Sequence, residues 1–126
     1  MDNTKIRSIA FATIYADDYE KNLDFYLNVM GLEKSFDMAK NSCFLKLGDE
    51  NFGVYLEGGN KPNIIDSATT RSSIMFTVDS ASALFAKLQA QNVELLHKEP
   101  QDMGEGDYWF MFKDPAGNIL EILGGK

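Results

Sequence analysis

The sequence predicts an α+β fold of two βαβββ modules, which form a curved mixed sheet around a cleft and carry their helices outside. Three observations support this prediction. Apolar residues alternate with the two-residue period of a strand in most segments. In two segments they recur instead at helical spacing, each time directly after a strand. The same order of elements then occurs twice, about 60 residues apart, which indicates an internal repeat.

The first module begins with a strand over 6–16, where apolar residues on both faces are typical of a strand covered on both sides. Asp17 or Asp18 is placed to cap a following helix, and Gly31 to end it. Apolar residues at helical spacing form the buried stripe of this helix: Leu23, Tyr26, Leu27 and Met30. Three further strands are predicted, over 32–38, 42–47 and 52–57.

The second module follows a segment without periodicity, 58–70, which contains Gly, Pro and Asn and predicts a connecting loop. Asp79 or Ser80 is placed to cap a helix over 81–91. The segment 100–107, with two glycines, predicts another loop. A tight turn is predicted from the Asp, Pro, Gly and Asn residues of 114–118. The strands of this module are predicted over 72–78, 93–98, 108–113 and 119–123.

The length of 126 residues fits a single domain. We therefore expect one domain over 1–126, with modules over about 5–58 and 71–124 joined by the linker 58–70. Each module alone leaves one face of its sheet uncovered, so the two half-sheets are expected to contribute facing residues to one site.

Composition and charge exclude several classes of protein. Hydrophobic residues make up 44% and charged residues 25%, as in ordinary globular chains. Twelve basic and 19 acidic residues give a net charge of −7, and the basic residues are scattered, so nucleic-acid binding is not expected. No apolar run approaches the ~20 residues of a membrane span, and the first residues lack a secretory signal. We therefore expect a cytoplasmic protein without membrane association.

The chain contains few of the side chains that most enzymes use. P-loop, dinucleotide-binding and CxxC motifs are absent, and there is one histidine, His97, and one cysteine, Cys43. We interpret His97 as a surface or half-buried residue and Cys43 as a small apolar residue that cannot form an intrachain disulfide. Asp114 and Asn118 are interpreted as turn formers only. No catalytic residue is assigned.

Three segments carry a resemblance to a known family. They are DYEKNLDFYLNVMGLE at 18–33, IMFTVD at 74–79 and FKDPAGNILEIL at 112–123. Together they resemble the vicinal oxygen chelate superfamily, which includes glyoxalase I, extradiol dioxygenases, fosfomycin-resistance proteins and bleomycin-binding proteins. The resemblance covers essentially the whole chain and implies the glyoxalase/bleomycin-resistance fold. It implies no single activity, because this fold carries many chemistries.

The resemblance also allows the family's metal site to be compared with this sequence. In metal-using members, four cleft-facing positions supply His, Gln or Glu ligands to a divalent ion. On this chain those positions are Phe11, Tyr55 (with Glu57 next on the same face), Ser73 and Glu121. Only Glu121 keeps a ligand type, and Phe11 supplies no donor to an ion that needs several. We therefore expect no metal and no other cofactor.

What remains is a predicted cleft with an apolar and aromatic lining, as small-molecule pockets usually have. Aromatic faces stack on planar ligands and attract cations, and a carboxylate there pairs with a cationic group. The register of the fourth strand leaves open whether Tyr55 or Glu57 points into the cleft. The candidate ligand-binding residues are Phe11, Thr13, Tyr55, Glu57, Ser73, Met75, Trp109 and Glu121.

Three functions are compatible with these residues. The first, which we favour, is a metal-free binding protein of the bleomycin-resistance type for an apolar or aromatic ligand that can carry positive charge. The second is a lyase or dioxygenase with an atypical divalent-metal site at Glu57, Glu121 and His97. The third is a dimeric interaction module without a small ligand. The resemblance also implies a homodimer, because clefts in this family often lie at dimer interfaces.

Overall fold

The computed structural model describes residues 3–4, 9–58 and 73–126. Almost all of the predicted linker 58–70 lies outside these residues. The described chain forms one sheet of four strands and one of five, and neither is a closed barrel. The predicted α+β class of two βαβββ modules is confirmed, with two separate sheets in place of one continuous curved sheet. None of the helices in the described parts is long and apolar enough to cross a membrane.

The first module has the predicted order of elements. Its strands lie in the order β1-β4-β3-β2, with β1 parallel to β4 and the other neighbours antiparallel. The elements are β1 (Ala12–Ala16), α1 (Tyr19–Asp24), a π-helical turn (Phe25–Val29), β2 (Lys34–Ala39), β3 (Ser42–Leu47) and β4 (Glu50–Gly58).

The ends of the first helix follow from its sequence, whereas the π-helical conformation of its second half was not predicted. The Asp18 side chain accepts a hydrogen bond from the Lys21 backbone N–H at 3.1 Å and so caps α1. From Phe25 onward the helix continues as a π-helical turn. Gly31, at a φ of +75°, ends it in a conformation that glycine adopts without strain.

The second module repeats the order with one additional strand. Its strands lie in the order β5-β9-β8-β6, with β5 parallel to β9, and β7 pairs with β8. The elements are β5 (Ile74–Ser80), α2 (Ala81–Ala90), β6 (Glu94–Leu95), β7 (Gln101–Gly104), β8 (Asp107–Lys113) and β9 (Ile119–Gly125). The Ser80 side chain caps α2 by accepting a hydrogen bond from the Ala83 N–H.

Two predictions in this module are wrong. The strand expected over 93–98 is only the two residues Glu94–Leu95, and the loop expected over 100–107 contains strand β7. All four residues of β7 are exposed, so the strand has no apolar alternation to reveal it. Gly104 and Gly106, both at positive φ, form the hairpin turn between β7 and β8 rather than part of an open loop.

One hydrophobic core lies on the helix side of both sheets. The ring of Phe25 in the π-helical turn lies 6.3 Å from that of Phe112 in β8, and Phe85 of α2 lies 5.1 Å from Phe110. Phe110 and Phe112 are fully buried. The modules are therefore joined through their helix layer, while the opposite faces of both sheets do not take part in this core.

A buried carboxylate, Asp114, also joins the two modules. It accepts hydrogen bonds from the Tyr26 hydroxyl at 2.7 Å and the Asn22 amide at 3.2 Å, both in the first module, and from Asn118 in its own turn. The Asn118 amide also donates to the Tyr15 carbonyl at 2.9 Å. The interpretation of Asp114 and Asn118 as turn formers only was therefore wrong, because the sequence does not show that this turn meets the first helix.

Candidate ligand-binding site

The face of the first sheet that points away from the helices carries four of the predicted site residues. Val54 and Leu56 are fully buried toward the core, so the alternate residues Tyr55 and Glu57 lie on the opposite face. Their Cα partners in β1 are Thr13 and Tyr15. Tyr55 and Glu57 therefore share this face, and which of them meets a ligand stays a prediction.

Five aromatic rings form a continuous cluster on this face, which we call the aromatic cluster: Phe11, Phe36, Phe44, Phe52 and Tyr55. Phe44 lies at its centre, with ring centroids 5.0 Å from Phe11, 5.2 Å from both Phe36 and Phe52, and 4.8 Å from Tyr55. The pairs of Phe44 with Phe11 and with Phe52 have the edge-to-face geometry that aromatic rings prefer, and the other two pairs are tilted. Only Phe11 and Tyr55 were predicted from the sequence.

The rings around Phe44 are accessible to solvent. Phe44 is 7% exposed, whereas Phe11 is 39% and Phe52 50% exposed. A contiguous apolar surface of this kind marks a place where a protein contacts another molecule. The aromatic cluster is therefore a candidate binding surface.

The second sheet carries the other four predicted residues on its face away from the helices. Phe110 and Ile122 are fully buried toward the core, so Trp109 and Glu121 point the other way. The Trp109 indole Nε1–H donates to Glu121 Oε1 at 2.9 Å, and the Ser73 hydroxyl donates to Glu121 Oε2. Met75, the Cα partner of Glu121 in β5, is 45% exposed beside them. We call Ser73, Trp109 and Glu121 the Glu121 cluster.

Both hydrogen-bond donors to the Glu121 carboxylate, the Trp109 indole and the Ser73 hydroxyl, are neutral groups. Ion pairs among the described residues join Lys34 to Asp37, Lys46 to Glu33 and Lys113 to Glu94. Neither Glu121 nor Glu57 takes part in any of these three. The lysines of these three ion pairs therefore do not neutralise the carboxylates of Glu57 and Glu121.

The residues present do not fit the family's divalent-metal site. The positions of Phe11 and Tyr55 bear aromatic rings that belong to the aromatic cluster, and both Glu121 oxygens already accept hydrogen bonds. Within the described ranges no group of three or more His, Cys, Asp or Glu side chains is placed to hold a metal ion. Glu57, Glu121 and His97 accordingly do not form such a group within this chain.

His97 lies immediately behind the Glu121 cluster. Its imidazole ring is 4.8 Å from the Trp109 ring at an interplanar angle of 75°, and its Nε2 atom is buried without a hydrogen-bond partner. This contact could not be predicted from the sequence, since His97 follows the short strand β6 and Trp109 lies in the middle of β8.

The eight predicted residues therefore form two groups, one on each sheet. Phe11, Thr13, Tyr55 and Glu57 share the face of the first sheet, while the other four share the face of the second. The hydrogen bonds and ring contacts of the described residues do not join one group to the other.

Comparison with known proteins gives one family and several solved structures. Residues 8–122 match the family described as Glyoxalase/Bleomycin resistance protein/Dioxygenase superfamily. No curated protein sequence matches significantly.

Three solved structures illustrate the likeness in fold. A lactoylglutathione lyase from Agrobacterium tumefaciens is 22% identical with a TM-score of 0.69, covering 94% of this chain and 93% of its own. The fosfomycin resistance protein FosX from Listeria monocytogenes is 21% identical with a TM-score of 0.72, covering 97% and 96%. TioX from Micromonospora sp. ML1 is 16% identical with a TM-score of 0.70, covering 95% and 100%. At these identities the likeness concerns the fold alone.

Proposed function

Because this chain belongs to the Glyoxalase/Bleomycin resistance protein/Dioxygenase superfamily, we propose that it binds a small planar aromatic cation in its cleft without a resident metal ion. The observation that carries this proposal is the Glu121 carboxylate, held in place by two neutral donors, Trp109 and Ser73. The carboxylate supplies negative charge, and the indole supplies an aromatic face beside it.

Simple electrostatics favours a cation over an anion or a neutral molecule at this site. A cation over the face of a tryptophan gains about 0.5–2 kcal/mol, depending on how far it is desolvated. The fixed carboxylate adds Coulomb attraction that water screens only in part. Glu57 on the first sheet and the net charge of −7 also favour the binding of a cation. The aromatic cluster would take the planar apolar part of the ligand.

We also propose that the protein acts as a homodimer in which a second copy completes the cleft. The support is that the aromatic cluster and the Glu121 cluster lie on different sheets, each on a face that the chain's own core does not cover. A site that uses both faces needs them opposite each other. A second copy of the chain supplies the missing face in each case.

A pair of probes tests the proposed ligand class. N-methylquinolinium carries a fixed positive charge, and methylnaphthalene has nearly the same shape without charge, so calorimetric titration of both isolates the effect of charge. We expect the cation to bind more tightly, and Glu121→Gln to weaken its binding about tenfold while leaving methylnaphthalene unchanged. Glu20→Gln, on the exposed side of α1, is the matched control and should change neither affinity.

Several outcomes of this titration would contradict the proposal. They are the absence of binding by both probes, equal affinity for the two, or an unchanged cation affinity in Glu121→Gln. The metal-free part has its own test, in which the purified protein is incubated with Ni, Mn, Fe and Zn salts and desalted. Stoichiometric retention of one of these metals would contradict the proposal of a metal-free site. It would favour the hypothesis that the protein is a metal-dependent lyase or dioxygenase.

A further inference from the structure

We propose that His97 is a positioning residue for the cleft: it contacts the Trp109 ring, and its protonation weakens cation binding at Glu121. This inference rests on the proposed cation site and adds a regulatory property to it. It predicts a cleft that holds its ligand at neutral pH and releases it in mildly acidic solution.

The contact between the two rings is direct. The imidazole and indole centroids lie 4.8 Å apart in an edge-to-face arrangement, and His97 is half-buried. The buried Nε2 atom has no hydrogen-bond partner. The indole is the aromatic ring in contact with the imidazole, and an electron-rich ring attracts a cation placed beside it.

The Trp109 indole links the protonation of His97 to the Glu121 carboxylate, because it contacts both groups. Trp109 Nε1–H donates to Glu121 Oε1 at 2.9 Å, so the indole that contacts the imidazole also holds the carboxylate. A positive charge on His97 interacts with the indole and with Glu121. It therefore weakens the attraction that these two groups exert on a cationic ligand. It also repels a cationic ligand, whereas a neutral ligand of the same shape experiences no such repulsion.

The other charged groups near His97 do not compensate for this change. His97 lines an open groove of about 520 Å³ together with Lys98, Glu99, Asp102, Tyr108 and Lys126. The side chains of this groove include two lysines and two carboxylates, whose charges balance. On β8 the His97 ring contacts Trp109, which in turn donates to Glu121 of β9. Histidine is the side chain whose charge ordinarily changes between about pH 5 and 8.

The composition makes the experiment unambiguous, since the chain has one histidine and one tryptophan. We would titrate N-methylquinolinium and methylnaphthalene at several values between about pH 6 and pH 8, and follow the His97 ring by NMR over the same range. The cation affinity should fall about two- to fivefold on acidification. Its midpoint should coincide with the His97 titration, and the affinity for methylnaphthalene should not change.

His97→Phe keeps an aromatic ring against Trp109 and removes the titration, so its cation affinity should be independent of pH. His97→Gln serves as a second variant with a neutral polar side chain and should behave in the same way. The same pH dependence in these variants as in the wild type, or a pH-independent wild type, would overturn the proposal.

A measurement without ligand separates this inference from the proposed function. Protonated imidazole quenches the fluorescence of a contacting indole, so Trp109 emission should decrease on acidification with the His97 midpoint, and should not do so in His97→Phe. If neither probe binds, the proposed function fails, while this signal still decides whether His97 acts on Trp109. Emission that is independent of pH in the wild type would overturn the contact on which the inference depends.

Discussion

Glu121 and Asp114 are carboxylates that both accept several hydrogen bonds, but they lie in different surroundings. Asp114 is buried, and its donors come from both modules. Glu121 is half-buried on the face away from the core, and it accepts hydrogen bonds from two neutral groups of its own module. The same chemical group therefore stabilises the fold at one position, and we propose that it binds a ligand at the other.

The hydrogen bond between Tyr26 and Asp114 gives a prediction about stability. Tyr26→Phe removes a 2.7 Å bond to a buried carboxylate, and hydrogen bonds to charged groups contribute about 1.5–3 kcal/mol to the free energy of unfolding. We expect a loss of that size in urea denaturation. Tyr15→Phe, which alters a 48% exposed tyrosine, is the control and should cost less than about 0.5 kcal/mol.

The same residue predicts how stability depends on alkaline pH. Burial, and then the charge and hydrogen bond of Asp114, raise the pKa of Tyr26 well above 10.0. The folded state thus favours the protonated phenol, and its contribution is complete below about pH 10 and lost as the pH rises above that value. Wild-type stability should fall more steeply than that of Tyr26→Phe above about pH 10. Parallel curves for the two proteins would contradict this assignment.

At the scale of the elements, strand alternation predicted the two faces of β1, β4, β5 and β9. A strand with one buried face has its side-chain orientation fixed by burial, and the pattern of apolar residues therefore carries that information. The polar edge strand β7 and the π-helical turn have no comparable apolar signal. Their backbone pairing depends on neighbours that the local sequence does not reveal.

Phe52 illustrates why part of the aromatic cluster was missed. Simple alternation from Val54 would place Phe52 on the core side of β4. The register between β3 and β4 shifts between Leu45 and Leu47, and the Phe52 ring instead contacts Phe44 at 5.2 Å. At Gly53 an added Cβ would lie 2.2 Å from that of Leu47, so glycine permits this close approach.

The aromatic cluster predicts different effects for its central and peripheral rings. Phe44→Ala removes a buried ring that four others contact, and should lower the free energy of unfolding by about 3–5 kcal/mol. Phe52→Ala alters a half-exposed ring, so it should cost about 1 kcal/mol or less but weaken methylnaphthalene binding. Urea denaturation and calorimetry distinguish the two. A large stability loss in Phe52→Ala with unchanged binding would show that the cluster serves only the fold.

At the scale of the whole molecule, the modules are joined through their helices and Asp114, and their other faces point away from the shared core. The order of modules and the repeat were predictable, because both depend on local patterns. How the two sheets are placed relative to each other was not, since it depends on contacts between segments far apart in sequence, such as Asn22 with Asp114.

Mixing two inactive variants tests whether the cleft is shared between copies. Phe11→Ala should disrupt the aromatic cluster, and Glu121→Gln the charge of the second sheet, so each variant alone should bind N-methylquinolinium more weakly than the wild type. If each cleft takes its two sheets from different copies, subunit exchange should restore about a quarter of the clefts to wild type. Light scattering should give twice the monomer mass. Absence of restoration after demonstrated exchange would place the complete cleft within one chain.

The most direct test of the central claim is a crystal structure of the protein with N-methylquinolinium, grown with divalent metal ions present. The account predicts the quinolinium ring stacked on Trp109 with its charged nitrogen beside the Glu121 carboxylate, and no metal ion between them. A metal ion coordinated by Glu121, or the cation bound away from both clusters, would contradict it.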